Sequence, residues 1–202
     1  MKIDCYPIGD YEENSYILRE KKKIVFIDPG KRAEYLISKV QDNEKTVGIL
    51  LTHGHDDHTG AVDDLAEYYQ CPIYIHPDDL LLIKTKGTAY TGGSMHPITF
   101  DVLPLEDSLH LDGFDFTIHH TPGHTSGSVL IQYKNVLFTG DTLFASSIGR
   151  TDLFSGNELQ MIKSLKYIMT LPSDLTIYPG HGPSSSIGQE KMINYYLNHF
   201  TL

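Results

Sequence analysis

Apolar positions fall into short blocks, and the spacing inside each block changes along the chain. Residues 3–8, 15–18 and 24–27 read as strands, the third ending at the turn signal Asp28-Pro29-Gly30. Ala33, Leu36, Ile37 and Val40 share one helical face. Residues 47–51 are an unbroken apolar run of strand length, as expected for a strand buried on both faces, and the run stops at Thr52. Ala61, Val62, Leu65, Ala66 and Tyr69 predict a second helix, residues 73–75 a short strand, and residues 77–84 a helix opened by proline. Farther on, Phe114, Phe116 and Ile118 alternate as in a half-buried strand, and residues 129–133 and 136–138 predict a hairpin around Lys134-Asn135. Leu159, Ile162, Leu165 and Ile168 mark a helix, residues 175–178 a strand, and residues 187–200 a closing helix.

The strands come first in pairs and then alternate with helices, without a strict βαβ rhythm. That order predicts an α+β protein in which two mixed sheets pack together with helices outside them. No Pro/Ser linker, repeat or low-complexity tract interrupts the 202 residues, so one domain is expected over 1–202.

Charge narrows the function classes. Lys plus Arg is 16 against 26 for Asp plus Glu, and the longest basic run is Lys21-Lys22-Lys23. A surface with net charge -10 repels polyphosphate and acidic membranes, which disfavours nucleic acid and membrane partners. Two cysteines, Cys5 and Cys71, build neither a disulfide framework nor a four-cysteine zinc site, and free thiols are expected. Met1-Lys2-Ile3-Asp4 opens no apolar signal segment and no stretch reaches membrane-spanning length, so the expected location is cytoplasmic.

Histidine changes the picture. Thr52-His53-Gly54-His55-Asp56-Asp57-His58 follows directly on the buried strand of residues 47–51. Imidazole is the commonest metal ligand and carboxylate supplies a hard oxygen. In an extended turn His53 and His55 can point the same way, with Asp57 and His58 on the other side. A single four-coordinate zinc with an open position needs only three protein ligands, so the excess points to two metals. Three later segments repeat one pattern, a strand, a glycine and a polar residue: Gly123-His124, Gly140-Asp141 and Gly180-His181. Glycine there lets the backbone approach closely.

This ligand order, His53-His55-Asp57-His58 followed by His124, Asp141 and His181, resembles the metallo-β-lactamase superfamily, and within it the small glyoxalase-II-like (hydroxyacylglutathione hydrolase-like) enzymes. The resemblance runs from Asn14-Ser15-Tyr16 through Asp28-Pro29-Gly30 to Pro179-Gly180-His181. It implies a four-layer αββα sandwich with the metals at one edge of the sheets. It also implies that His53, His55 and His124 hold one divalent metal and that Asp57, His58 and His181 hold a second. Asp141 would bridge them; zinc is expected, with iron or a mixed pair as alternatives. The implied reaction is hydrolysis of a small thioester, such as S-lactoyl-glutathione or another low-molecular-weight thiol conjugate. A hydroxide bridging the metals attacks the carbonyl, with Asp57 and Asp141 as the catalytic carboxylates. A thiolate leaves without a general acid. Asp56 is expected to be structural, as are His76, His96, His110, His119, His120 and His199.

Within the superfamily, flavodiiron relatives usually carry glutamate at the place of His55, and many β-lactamases have cysteine at the place of Asp141 and lack His58. Arg150 stands where longer glyoxalase II enzymes have a lysine for glutathione; its two readings are a grip on a substrate carboxylate and a salt bridge to Asp152. Pro183 replaces a substrate-contacting tyrosine of those enzymes, which leaves room for a thiol other than glutathione. Gly149-Arg150-Thr151-Asp152 also resembles the persulfide dioxygenases, which use one iron at the counterparts of His53, His124 and Asp141. Lactonases share the ligand set as well.

Overall fold

The computed structural model of the chain describes residues 1–200, so the last two positions of the expected 1–202 domain lie outside the described residues. One sheet runs β1 (Lys2–Ile8), β2 (Glu13–Glu20), β3 (Lys23–Ile27), β4 (Lys45–Leu50), β5 (Ile73–Ile75) and β6 (Val102–Pro104), in that order. The other places β12 (Ser185–Ser186) at one edge, then β11 (Thr176–Pro179), β10 (Val136–Gly140), β9 (Val129–Tyr133), β8 (Phe114–His120) and β7 (Ser108–Leu111). Both sheets are mixed. β3, β4, β5 and β6 pair in parallel, as do β10 and β11, whereas the remaining neighbours are antiparallel.

Three apolar layers hold four structural layers together. Tyr16, Leu18, Val25, Ile27 and Leu50 face Phe114, Phe116, Ile131 and Phe138 between the sheets. On the outer face of the first sheet, Ile17, Phe26 and Ile49 pack against α1 (Ala33–Ile37) and α3 (Val62–Tyr69) through Leu36, Val62 and Leu65. On the outer face of the second, Leu130, Leu137 and Ile177 meet α5 (Glu158–Ile168) and α6 (Ile187–Ile193) through Met161, Leu165, Ile168 and Ile187. Each fully buried Leu, Ile or Phe contributes roughly 1.5–3 kcal/mol. The result is the expected αββα sandwich. Among the described residues no helix is long and apolar enough to cross a membrane.

Several elements depart from the sequence reading. The helix expected over 33–40 ends at Ile37, and the one over 77–84 begins as a 3-10 turn, Pro77–Asp79, before α4 (Leu80–Lys84). The closing helix breaks at Asn194, whose extended ψ of 116° separates α6 from α7 (Tyr195–Phe200). The Asn194 side chain explains the break, because it donates to Glu190 (2.9 Å) and to the carbonyl of Ser147 (3.1 Å) while accepting from the backbone N–H of Tyr196 (3.1 Å). Edge strands β6 and β12 carry no clean alternation, and β7 alternates over only four residues, Ser108-Leu109-His110-Leu111, too short a run to mark a strand by itself. All three are short, so neighbouring strands more than their own pattern define them.

The parallel pairings also position the loops beyond the strands. Ile27 lies opposite Leu50, so Asp28 and Thr52 emerge side by side. Gly140 lies opposite Pro179, which sets Asp141 beside Gly180 and His181. The backbone N–H of Val129 donates to the Thr52 carbonyl (2.9 Å), joining the two sheets at this end.

Candidate metal centre

All seven histidines and aspartates predicted as ligands meet at this junction. His53 and His55 follow β4 in irregular backbone, their rings edge to face at 4.9 Å. Asp57 and His58 sit not in an extended turn but in α2 (Asp56–Thr59), a single helical turn that starts after His55. His124 comes from the loop after β8, Asp141 from the end of β10 and His181 from the end of β11. His55 Nδ1 lies 2.8 Å from His124 Nε2. Asp57 Oδ2 is 3.4 Å from His181 Nε2 and 3.9 Å from His58 Nε2. Asp141 reaches both groups: Oδ1 is 3.3 Å from His58 Nε2, and Oδ2 is 3.4 Å from His124 Nε2 and 3.6 Å from His181 Nε2. His53, His55 and His124 form one set of convergent donor atoms, and Asp57, His58 and His181 form another.

Hydrogen bonds on the far side of each ring select the tautomer. His124 Nδ1 donates to the Arg150 carbonyl (2.7 Å) and His181 Nδ1 to the Tyr11 carbonyl (3.0 Å). His58 Nδ1 donates to Asp28 Oδ2 (3.1 Å). Thr52 Oγ1 gives its proton to the same Asp28 oxygen (2.6 Å), so it accepts from His53 Nδ1 (3.1 Å). In its neutral form each of these four rings therefore turns a free Nε2 inward, the arrangement by which outer carboxylates and carbonyls orient metal-binding histidines.

The inward atoms are otherwise unpartnered. His53 Nε2, His55 Nε2, His58 Nε2 and the Asp141 Oδ1 atom are buried without a hydrogen bond among the described residues. Buried polar atoms are rarely left so, and these four, shared between the two donor sets, fit ligation of divalent metal. The donor set fits divalent zinc or iron.

Electrostatics agree. Burial holds His53 well below the ordinary imidazole range, with the neighbouring rings adding to it, and burial with His124 pushes His55 down to about 3. These two stay neutral and able to ligate. Burial opposes a charge on His58, yet Asp141 and Asp57 raise it well above its usual value. Burial would raise Asp141, but His58, His124 and His181 bring it to about 2.

Three supporting carboxylates were not identified as part of the site from sequence. Asp28, read there as a turn, is buried in the left-handed region at φ 48°; its Oδ1 accepts from Thr52 N–H (2.7 Å). Asp79 is buried between the two ligand loops, accepting from Gly54 N–H (2.9 Å), Thr125 Oγ1 (2.7 Å) and Gly127 N–H (2.7 Å). Glu13 is fully buried, accepts from Ser15 Oγ (2.8 Å) and lies 3.8 Å from His58 Nδ1; burial raises its pKa well above the carboxylate range. The motif Asp28-Pro29-Gly30 was visible, but its partners are not local.

The Asp56 carboxylate, outside both donor sets, accepts from Ser94 Oγ and from Met95 N–H (2.9 Å). His119 and His120 face away, to Tyr167 (2.6 Å) and to the Ser126 carbonyl (2.8 Å). The Arg150 guanidinium is exposed and paired in two-pronged fashion with Asp152 (2.6 and 2.7 Å).

A four-layer sandwich with a histidine–aspartate centre where its strands end defines a class of metal-dependent proteins. The family model described as "Metallo-beta-lactamase superfamily" matches residues 8–181, and the chain belongs to that superfamily. It is 37% identical to the hydroxyacylglutathione hydrolase GloC of Haemophilus influenzae, over 98% of this chain and 99% of that one. Among solved structures it resembles the BLEG-1 B3 metallo-beta-lactamase (TM-score 0.87, 36% identity, 97% of this chain and 99% of that one). It likewise resembles TTHA1623 in a di-iron-bound form (TM-score 0.84, 35% identity, 96% and 99%).

Proposed function

We propose that this protein is a dinuclear metal-dependent hydrolase acting on small thioesters, among them S-lactoyl-glutathione or the conjugate of another low-molecular-weight thiol. The observation that carries the reading is Asp141, whose two oxygens reach both donor sets at 3.3–3.6 Å. His53, His55 and His124 would hold one ion and Asp57, His58 and His181 the other, zinc or a zinc–iron pair. Two such ions supply Lewis acidity and bring the pKa of water down toward ~7.

The chain's own groups do the rest. Asp57, partly exposed, orients the attacking water from the solvent side, and Asp141 fixes the spacing of the two donor sets. A departing thiolate needs no proton from the protein. Arg150 would meet a substrate carboxylate by exchanging it for Asp152, so R150A is expected to raise KM about tenfold while leaving kcat within about twofold, a pattern of lost ground-state binding.

The similarity to GloC supports a thioester, whereas BLEG-1 matches with nearly the same identity, so likeness alone does not choose the substrate. The deciding experiment joins elemental analysis of freshly purified protein to assays with S-lactoyl-glutathione, other acyl thioesters, a lactone, a chromogenic β-lactam and, at an oxygen electrode, a persulfide. Close to two metals per chain and oxygen-independent thioester hydrolysis would support the proposal. One iron per chain with oxygen uptake on persulfide would replace it with a dioxygenase, and turnover of the β-lactam or a lactone alone would change the substrate class.

A further inference from the structure

Away from the centre just described, His76, Asp78 and His120 form a second knot of ligand-type side chains. His76 follows the end of β5, Asp78 lies in the 3-10 turn after it, and His120 is the last residue of β8. The two sheets therefore deliver one imidazole each. The rings stack with centroids 4.0 Å apart and planes 14° from parallel. Asp78 Oδ2 is 3.8 Å from His76 Nδ1 and 3.8 Å from His120 Nε2, and one donor atom from each residue lies within 4.8 Å of the other two. At 3.8 Å neither contact is a hydrogen bond, so the carboxylate approaches both rings without bonding either.

We propose that His76, Asp78 and His120 bind one Zn2+ ion at a site separate from the main centre. Two imidazoles and one carboxylate suit a borderline ion such as zinc rather than calcium or magnesium, whose sites are built from oxygen. Burial and the His120 ring both act against a proton on His76, whose Nδ1 accepts from the Asp78 backbone N–H (3.3 Å), so ligation through Nδ1 exchanges that bond for the ion. Bonds of about 2.0–2.1 Å at a tetrahedral ion place ligand atoms roughly 3.3 Å apart. Each 3.8 Å gap must therefore close by about half an ångström. The stacked rings must also splay, because in-plane lone pairs on parallel rings do not converge.

The movement falls to Asp78 and His120, whose side chains are 56% and 40% exposed, whereas that of His76 is only 12% exposed and stays in place. Turning His120 releases its Nε2 from the Ser126 carbonyl, now 2.8 Å away. The splaying of the stacked rings above all makes the site weaker than the main centre, where donor atoms approach to 2.8–3.9 Å without it. Three protein ligands leave a fourth position to water.

The test uses protein carrying its resident metals. Calorimetric titration with Zn2+ is expected to show one further equivalent in the micromolar range. H120A should lose that equivalent, D78N should weaken it at least tenfold, and both should keep the resident metal content. In the unaltered chain, added Zn2+ should shift the imidazole nitrogen resonances of His76 and His120 ahead of those of His96, His110, His119 and His199, a readout independent of whether a variant folds. Absence of the further equivalent, its persistence at full strength in H120A, or shifts confined to the other histidines would overturn the proposal.

Discussion

Asp28 carries three hydrogen bonds on two oxygens from a backbone conformation that L residues seldom adopt. Asp tolerates the left-handed region better than most residues, and here the conformation turns the carboxylate back over Thr52 and toward His58. Replacing it with an amide removes the charge and one acceptor while keeping the shape. D28N is expected to weaken metal binding about 10–100-fold, as outer-shell partners of ligating histidines typically do. Retained metal after dialysis against a graded chelator series would measure it; unchanged retention would show that Asp28 only shapes the turn.

The same residues set a pH dependence. Burial opposes charge on His58 and on His181, but Asp141 and Asp57 raise His58 well above and His181 above the usual imidazole value, so protons compete with a metal for these two rings. A metal must displace those protons. Affinity is therefore expected to rise with pH until both folded-state values are passed, and loading should release protons. His53 and His55 are depressed and contribute no proton over this range. Calorimetry in buffers of different ionisation enthalpy counts the released protons; a count of zero contradicts the assignment.

At the scale of elements, the centre depends on strands ending in glycine. A Cβ at Gly180 would stand 2.6 Å from His58 Cε1 and would also strike Asp141, both of which belong to the centre. Gly140, at φ 45°, is pressed equally closely against Thr52. G180A is expected to cost about 1–3 kcal/mol in stability through overpacking. It should also lower the retained metal below half of the unaltered protein's content. Urea unfolding and elemental analysis read the two effects separately. The glycines were legible in the sequence, and so was the approach they permit. What they approach was not, because Gly180 meets His58 only through the parallel pairing of β10 with β11 and the packing of one sheet on the other.

For the molecule as a whole, metal ions held at the junction of the sheets would tie together loops from both. Ligands that bind only the folded state stabilise it by RT ln(1 + [L]/Kd), about 2.7 kcal/mol at a hundredfold excess over Kd. At about 2–4 °C per kcal/mol for a chain of this length, chelation should lower Tm by roughly 5–10 °C, and readdition of zinc should restore it. A melting curve indifferent to chelator would mean that the loops are held by protein contacts such as Asp79 and Asn14 alone.

Local pattern by itself determined the order of most strands and helices, the central cluster at residues 53–58 and the three later positions His124, Asp141 and His181. Periodicity and turn chemistry depend on neighbours within a few residues, and the chain states those directly. The tertiary structure alone decided that Asp28 reaches Thr52, that Asp79 joins Gly54 to Thr125, and that Asn194 stops a helix to hold the loop at Ser147. It also pairs the Arg150 guanidinium with Asp152, one of the two partners the sequence allowed. Edge strands β6, β7 and β12 belong with these, since an exposed edge is defined by the strand beside it. In each long-range case the partner is distant in the chain and becomes a neighbour only when strand register and sheet packing fix where the loops emerge.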